Sequence, residues 1–117
     1  MILFGNVLYA NLIELDFAQF DNYKRTSDMI YSQARESARN FSYNGTVDLS
    51  KLPKEYLLHL SQPALESLEM QREILKHLLK DHSNEIEKNE EIKYEFVRRA
   101  IYWEENYNIW NEIRNDN

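Results

Sequence analysis

Glycine and proline are almost missing from this chain: two of each in 117 residues, at Gly5, Gly45, Pro53 and Pro63, and neither anywhere in the 54 residues from Ala64 to Asn117. Glycine costs about 1 kcal/mol in a helix interior and proline about 3, so a half-chain without them carries none of the usual helix breakers. Two glycines also exclude a glycine-rich phosphate cradle. Cysteine is absent, which excludes a disulfide framework, a thiolate zinc site and a cysteine nucleophile together. No apolar run is long enough to span a bilayer. The opening Met1-Ile2-Leu3-Phe4 lacks a basic stretch ahead of it and is soon interrupted by Gly5, Asn6, Asn11, Glu14 and Asp16. Neither a signal peptide nor a membrane span is expected, and a cytoplasmic location fits.

What is present is apolar and charged in helical proportion. Hydrophobic residues make up 43% and charged residues 29%, enough for one core beneath a heavily solvated exterior. At this length a single domain over residues 1–117 is the simplest partition. The net charge of −6 is concentrated toward the end, since residues 81–117 hold ten acidic and five basic groups. A negative field disfavours binding to phosphate backbones, so nucleic acid is not expected as a partner.

Ile13, Phe17, Phe20, Lys24, Ser27, Tyr31, Ala34, Ala38 and Phe41 follow one another at steps of three or four, the stripe of a helix from about Val7 to Asn40. Lys24 and Ser27 weaken its middle, and the cap-forming residues around Asp21–Asn22 and Thr26–Asp28 leave open a break there. A competing reading makes Ile2–Tyr9 a small β-hairpin turning at Gly5-Asn6, and Phe41–Val47 admits another around Asn44-Gly45. Farther on, Ser50 stands before a short helix of about Lys51 to Leu60 with Pro53 in its first turn, and Pro63 opens the next, to about Asp81. Asp81–Asn84 and Asn89 are the remaining interruption points, and Asn84 with Glu87 has the form of a capping box. The last helix spans about Glu90 to Arg114. The expected fold is therefore all-α, a bundle of about four helices ending in a long one.

The stripe Ile92, Phe96, Ala100, Trp103, Tyr107 and Trp110 puts both tryptophans on one line of that last helix, while Val97, Ile101, Ile109 and Ile113 add a second apolar flank. More than a third of its circumference wants cover. Such a surplus fits a non-catalytic interaction module, an adaptor, inhibitor or assembly factor of the phage or mobile-element kind. Its partner would be another protein or a second copy, with Phe96, Trp103, Tyr107 and Trp110 as anchors. A different use of the same end is an acidic surface, including Glu87, Glu91, Glu95 and Glu105, that imitates nucleic acid toward a basic pocket.

Arg72 and His77 stand in an Arg-x4-His spacing within this helical chain. The spacing resembles the motif of the HEPN superfamily, small helical proteins, many of them metal-independent ribonucleases. The resemblance spans six residues, and the family's usual polar residue after the arginine is here Glu73. It implies a ribonuclease or toxin–antitoxin component in which His77 does acid–base work and Arg72 holds phosphate. Metal ligation has less support: no Glu-x-x-His pair occurs, Glu69, Glu73 and His77 run down a polar side, and His59 and His82 have no acid at ligand spacing. Neither metal nor cofactor nor small-molecule substrate is expected from spacing alone.

Overall fold

The computed structural model describes residues 2–41 and 47–115, with side chains of the first helix from residue 12 onward. Among the described residues there is no strand. The chain forms α1 (Ile2–Arg39), a single 3₁₀ turn (Leu49–Lys51), α2 (Lys54–Asp81), a short α3 (Ser83–Lys88) and α4 (Glu90–Asn115). No helix among the described residues is long and apolar enough to cross a membrane.

The three long helices run up, down and up. Ser37 meets Tyr56 at one end of the α1–α2 pair and Asp16 meets His77 at the other, so those helices are antiparallel. Asp21 with Arg99, and Tyr31 with Trp110, set α4 parallel to α1. Helix α2 packs against both.

Among the described residues, two apolar clusters fill the bundle. One holds Ile13, Phe17 and Phe20 of α1 against Ile74, Leu75 and Leu78 of α2, closed by Ile86 and Phe96. The other gathers Ala34, Ala38, Leu52, Leu57, Leu60, Ala64, Leu68 and Trp110. Trp103 borders both. Between them lies a polar layer: the buried Gln71 amide donates to Ser27 Oγ at 3.1 Å, and Ser67 Oγ donates to the Tyr23 carbonyl at 2.6 Å. Ser27 Oγ also donates to the Lys24 carbonyl at 3.0 Å.

This layer explains why α1 does not break at its polar middle. Ser27 sits on the buried stripe with its hydroxyl bonded, and Lys24 swings out to Asp28 and the ring of Tyr102. The stripe holds through Ala38, but Phe41 lies exposed beyond the helix end. The N-terminal hairpin reading is overturned, because Ile2–Asn11 is the first part of α1; a two-stranded hairpin is marginal without a third strand to pair with. The second hairpin falls largely on residues 42–46, outside the described residues.

Pro63 does not start a helix. It lies inside α2, which begins at Lys54 with Pro53 as its N-cap residue. The ring removes one backbone donor and crowds the preceding turn, yet Leu57, Leu60, Ala64 and Leu68 on either side enter the same apolar cluster and hold the helix through it. Pro63 and His59 both lie on the exposed side, where water is at hand for the carbonyl that loses its N–H. The 3₁₀ turn that precedes α2 is capped by Asp48, whose carboxylate accepts from the Ser50 hydroxyl and N–H and is held below its ordinary pKa by them.

Candidate functional site

Helix α4 starts where Asn89 Oδ1 accepts from the Glu91 and Ile92 N–H groups at 3.0 and 3.2 Å. This is an N-cap, and Glu90 and Glu91 in the first turn oppose the helix dipole favourably. The interruption at Asp81–Asn84 is also real. There, however, α3 begins at Ser83 behind the N-cap residue His82, so Asn84 lies inside the helix and forms no capping box.

The aromatic stripe of α4 faces inward. Trp110 is 1% exposed and packs edge to face with Tyr31, and Phe96 is buried in the α1–α2 cluster. Trp103 and Tyr107 are half-buried and stacked on each other, and the Trp103 indole donates to the Leu68 carbonyl at 2.7 Å. Ala64 beside Leu60 and Leu68 leaves room on α2 for these large rings. The stripe singled out for partner binding is thus mostly sheltered by α1 and α2.

The opposite side of α4 keeps apolar surface in water, as Leu15 and Met29 of α1 and Leu79 of α2 also do. Tyr94, Val97 and Ile101 are 65, 43 and 51% exposed, and their spacing of three and four sets them in one row. Glu90, Glu104, Glu105 and Glu112 are exposed on the same side of the helix, with Lys93 among them. Of the second flank expected from sequence, Val97 and Ile101 are open, while Ile109 and Ile113 are half-buried. Tyr94 extends that second flank by one turn toward the start of α4, three residues before Val97.

The acidic groups divide by geometry. Glu87, Glu91 and Glu105 are exposed. Glu95 is tied down: Arg98 and Arg99 donate to its carboxylate at 2.5 and 2.7 Å, and these bonds hold its pKa below the ordinary glutamate value. Arg99 is itself buried, lies over the Phe17 ring and grips Asp21 of α1 with two nitrogens at 3.0 and 2.8 Å. Glu95 and Asp21 therefore join helices, and the acidic surface is narrower than the count of carboxylates implies.

Arg72 and His77 do not converge. Five residues along a helix turn the side chain about 140°, and the two groups have different partners. Arg72 pairs with Glu69 at 3.8 Å, whereas His77 Nδ1 meets Asp81 at 3.1 Å and its Nε2 meets Asp16 at 3.5 Å. No phosphate-holding arginine is brought to the imidazole by this pair.

What the fold does bring to His77 is His82. The rings stand edge to face with centroids 5.9 Å apart, and one ligand-type atom from each of Asp16, His77 and His82 lies within 4.8 Å of the others. His82 is buried at the joint of α2 and α3, with its N–H on the Leu78 carbonyl and its own carbonyl accepting from Ile86. Asp16 is half-buried on α1. Local spacing could not reveal this grouping, because Asp16 arrives from another helix and His82 sits beyond the helical register of His77.

Comparison with protein-family models, with curated proteins and with solved structures finds no match to the chain.

Proposed function

We propose that this protein is a protein-interaction module that docks a partner helix along the outer side of α4, with Tyr94, Val97 and Ile101 as the apolar contacts. The observation that carries the reading is this exposed row on a helix whose aromatic stripe already serves the core. The shape adds support. A compact chain of 14.1 kDa exposes about 6,700 Å², whereas this one exposes 8243 Å², and a standard interface covers only about 800 Å² on each side.

The partner's chemistry follows from the rim. Glu90, Glu104 and Glu105 lie beside the row against Lys93 and the Glu95-paired Arg98, so two copies pressed together there would oppose faces that both carry an excess of carboxylates. A partner with an apolar stripe edged by lysine or arginine meets both requirements, and a helix laid on a helix is a common mode for such recognition. Placing the anchors on Tyr94, Val97 and Ile101 moves them off the sheltered stripe of Phe96, Trp103, Tyr107 and Trp110.

A synthetic amphipathic helix of leucine and lysine heptads tests the proposal by titration against the purified chain. Saturable one-to-one binding is expected, weakened at least tenfold in a Val97→Glu/Ile101→Glu variant whose circular dichroism matches the parent. Equal binding by parent and variant, or no binding at all, would overturn it.

A further inference from the structure

We infer that Asp16, His77 and His82 form a binding site for one zinc ion at the corner where α1 passes the α2–α3 joint. This site lies apart from the outer face of α4 and does not depend on the docking proposal. Two imidazoles and one carboxylate are a donor set that zinc takes readily, leaving a fourth position for water.

The distances suit a shared ion better than direct contact. Ligand atoms around a tetrahedral zinc, each about 2.0–2.1 Å from the metal, lie about 3.3 Å from one another. His77 Nε2 and Asp16 Oδ2 are 3.5 Å apart, close to that edge and long for a charge-assisted hydrogen bond, which is ordinarily about 2.7–2.9 Å. The three donor atoms already lie within 4.8 Å of each other, so small side-chain rotations complete the set.

Asp81 supplies the support such a site needs. Its carboxylate faces His77 Nδ1 at 3.1 Å, and a proton held on that nitrogen leaves Nε2 with its lone pair toward Asp16. A carboxylate behind a ligating histidine fixes the tautomer and raises its basicity, and removing one typically costs 10–100-fold in affinity. The three ligands belong to different places in the fold: Asp16 to α1, His77 to α2 and His82 to the α2–α3 joint. Zinc there would cross-link α1 to the corner.

Isothermal titration of the chelator-treated full chain with zinc tests this, with Co²⁺ as the spectroscopic probe. One ion per chain is expected, with a tetrahedral cobalt spectrum. Asp16→Asn and His77→Gln should each weaken binding at least tenfold, Asp81→Asn should weaken it about tenfold, and His59→Gln, on an exposed and separate histidine, should leave it unchanged. Imidazole resonances of the unsubstituted chain give a second measurement independent of any variant's folding: zinc should move those of His77 and His82 and spare His59. Absence of saturable binding, affinity indifferent to Asp16→Asn and His77→Gln, or resonance changes spread over all three histidines would each overturn the inference.

Discussion

Arg99 and its two carboxylates show how one buried cation can organise an interface between helices. A guanidinium is costly to bury unless its donors are satisfied, and here Asp21 from α1 and Glu95 from its own helix satisfy them while Phe17 covers its face. Because the bonds from Arg98 and Arg99 lower the pKa of Glu95, its contribution to stability has a definite sign. It is fully present above the ordinary glutamate value of about 4.3 and is lost as the pH falls through the lower folded value. Acid unfolding followed by circular dichroism should therefore show a shallower loss of stability in Glu95→Gln than in the parent over that window. A parallel pair of curves would mean that the carboxylate contributes no pH-dependent stability. Glu95 is partly open to water, so the difference will be modest.

At the scale of elements, α2 carries the sharpest test. A proline in a helix interior costs about 3 kcal/mol relative to alanine, and part of that cost is offset by the conformational freedom proline removes from the unfolded chain. Pro63→Ala should accordingly raise stability by about 2 kcal/mol in urea unfolding. A neutral or destabilising result would mean that a helix starts at Pro63 after all. The same residue shows where reading the chain alone falls short. Proline at a first helical turn and proline inside a helix look identical in local sequence; what separates them is whether the apolar positions on both sides share one cluster, as Leu57, Leu60, Ala64 and Leu68 do. The bounds of α4 were legible because Asn89 and the two glutamates after it form a local signal. The continuity of α1 was not, since Ser27 is held on the buried stripe by the Lys24 carbonyl of its own helix and by the Gln71 amide from α2, a partner no local spacing shows. For the candidate sites the limit is similar. Val97 and Ile101 stood out as a second apolar flank, but which flank is covered depends on where α1 and α2 lie. The Asp16–His77–His82 grouping exists only once α1 runs beside the α2–α3 joint.

The whole molecule is a rod. Helix α1 alone is about 57 Å long at 1.5 Å per residue, which sets the longest of the dimensions of 62 × 24 × 18 Å. The radius of gyration is 17.7 Å, against about 13 Å for a compact chain of this length. Small-angle scattering on the monomer should return a value close to 18 Å; one near 13 Å would mean that the helices fold back on themselves and that the outer side of α4 is covered. A slender bundle has little interior for its surface, and this geometry leaves Tyr94, Val97 and Ile101 in water while both tryptophans are at least partly enclosed.

In such a rod apolar contact is only weakly directional, and the alignment of α1 along α2 is sharpened by the polar layer between the two clusters. Shifted by a turn, the Gln71 amide would lose Ser27 and keep only the longer contact to Ser67 of its own helix at 3.5 Å, a penalty of about 1 kcal/mol. The amide, with Ser67 on the Tyr23 carbonyl beside it, thus works as a detent that favours one alignment of the two helices and, through that alignment, which side chains of α1 stand beside the α2–α3 joint.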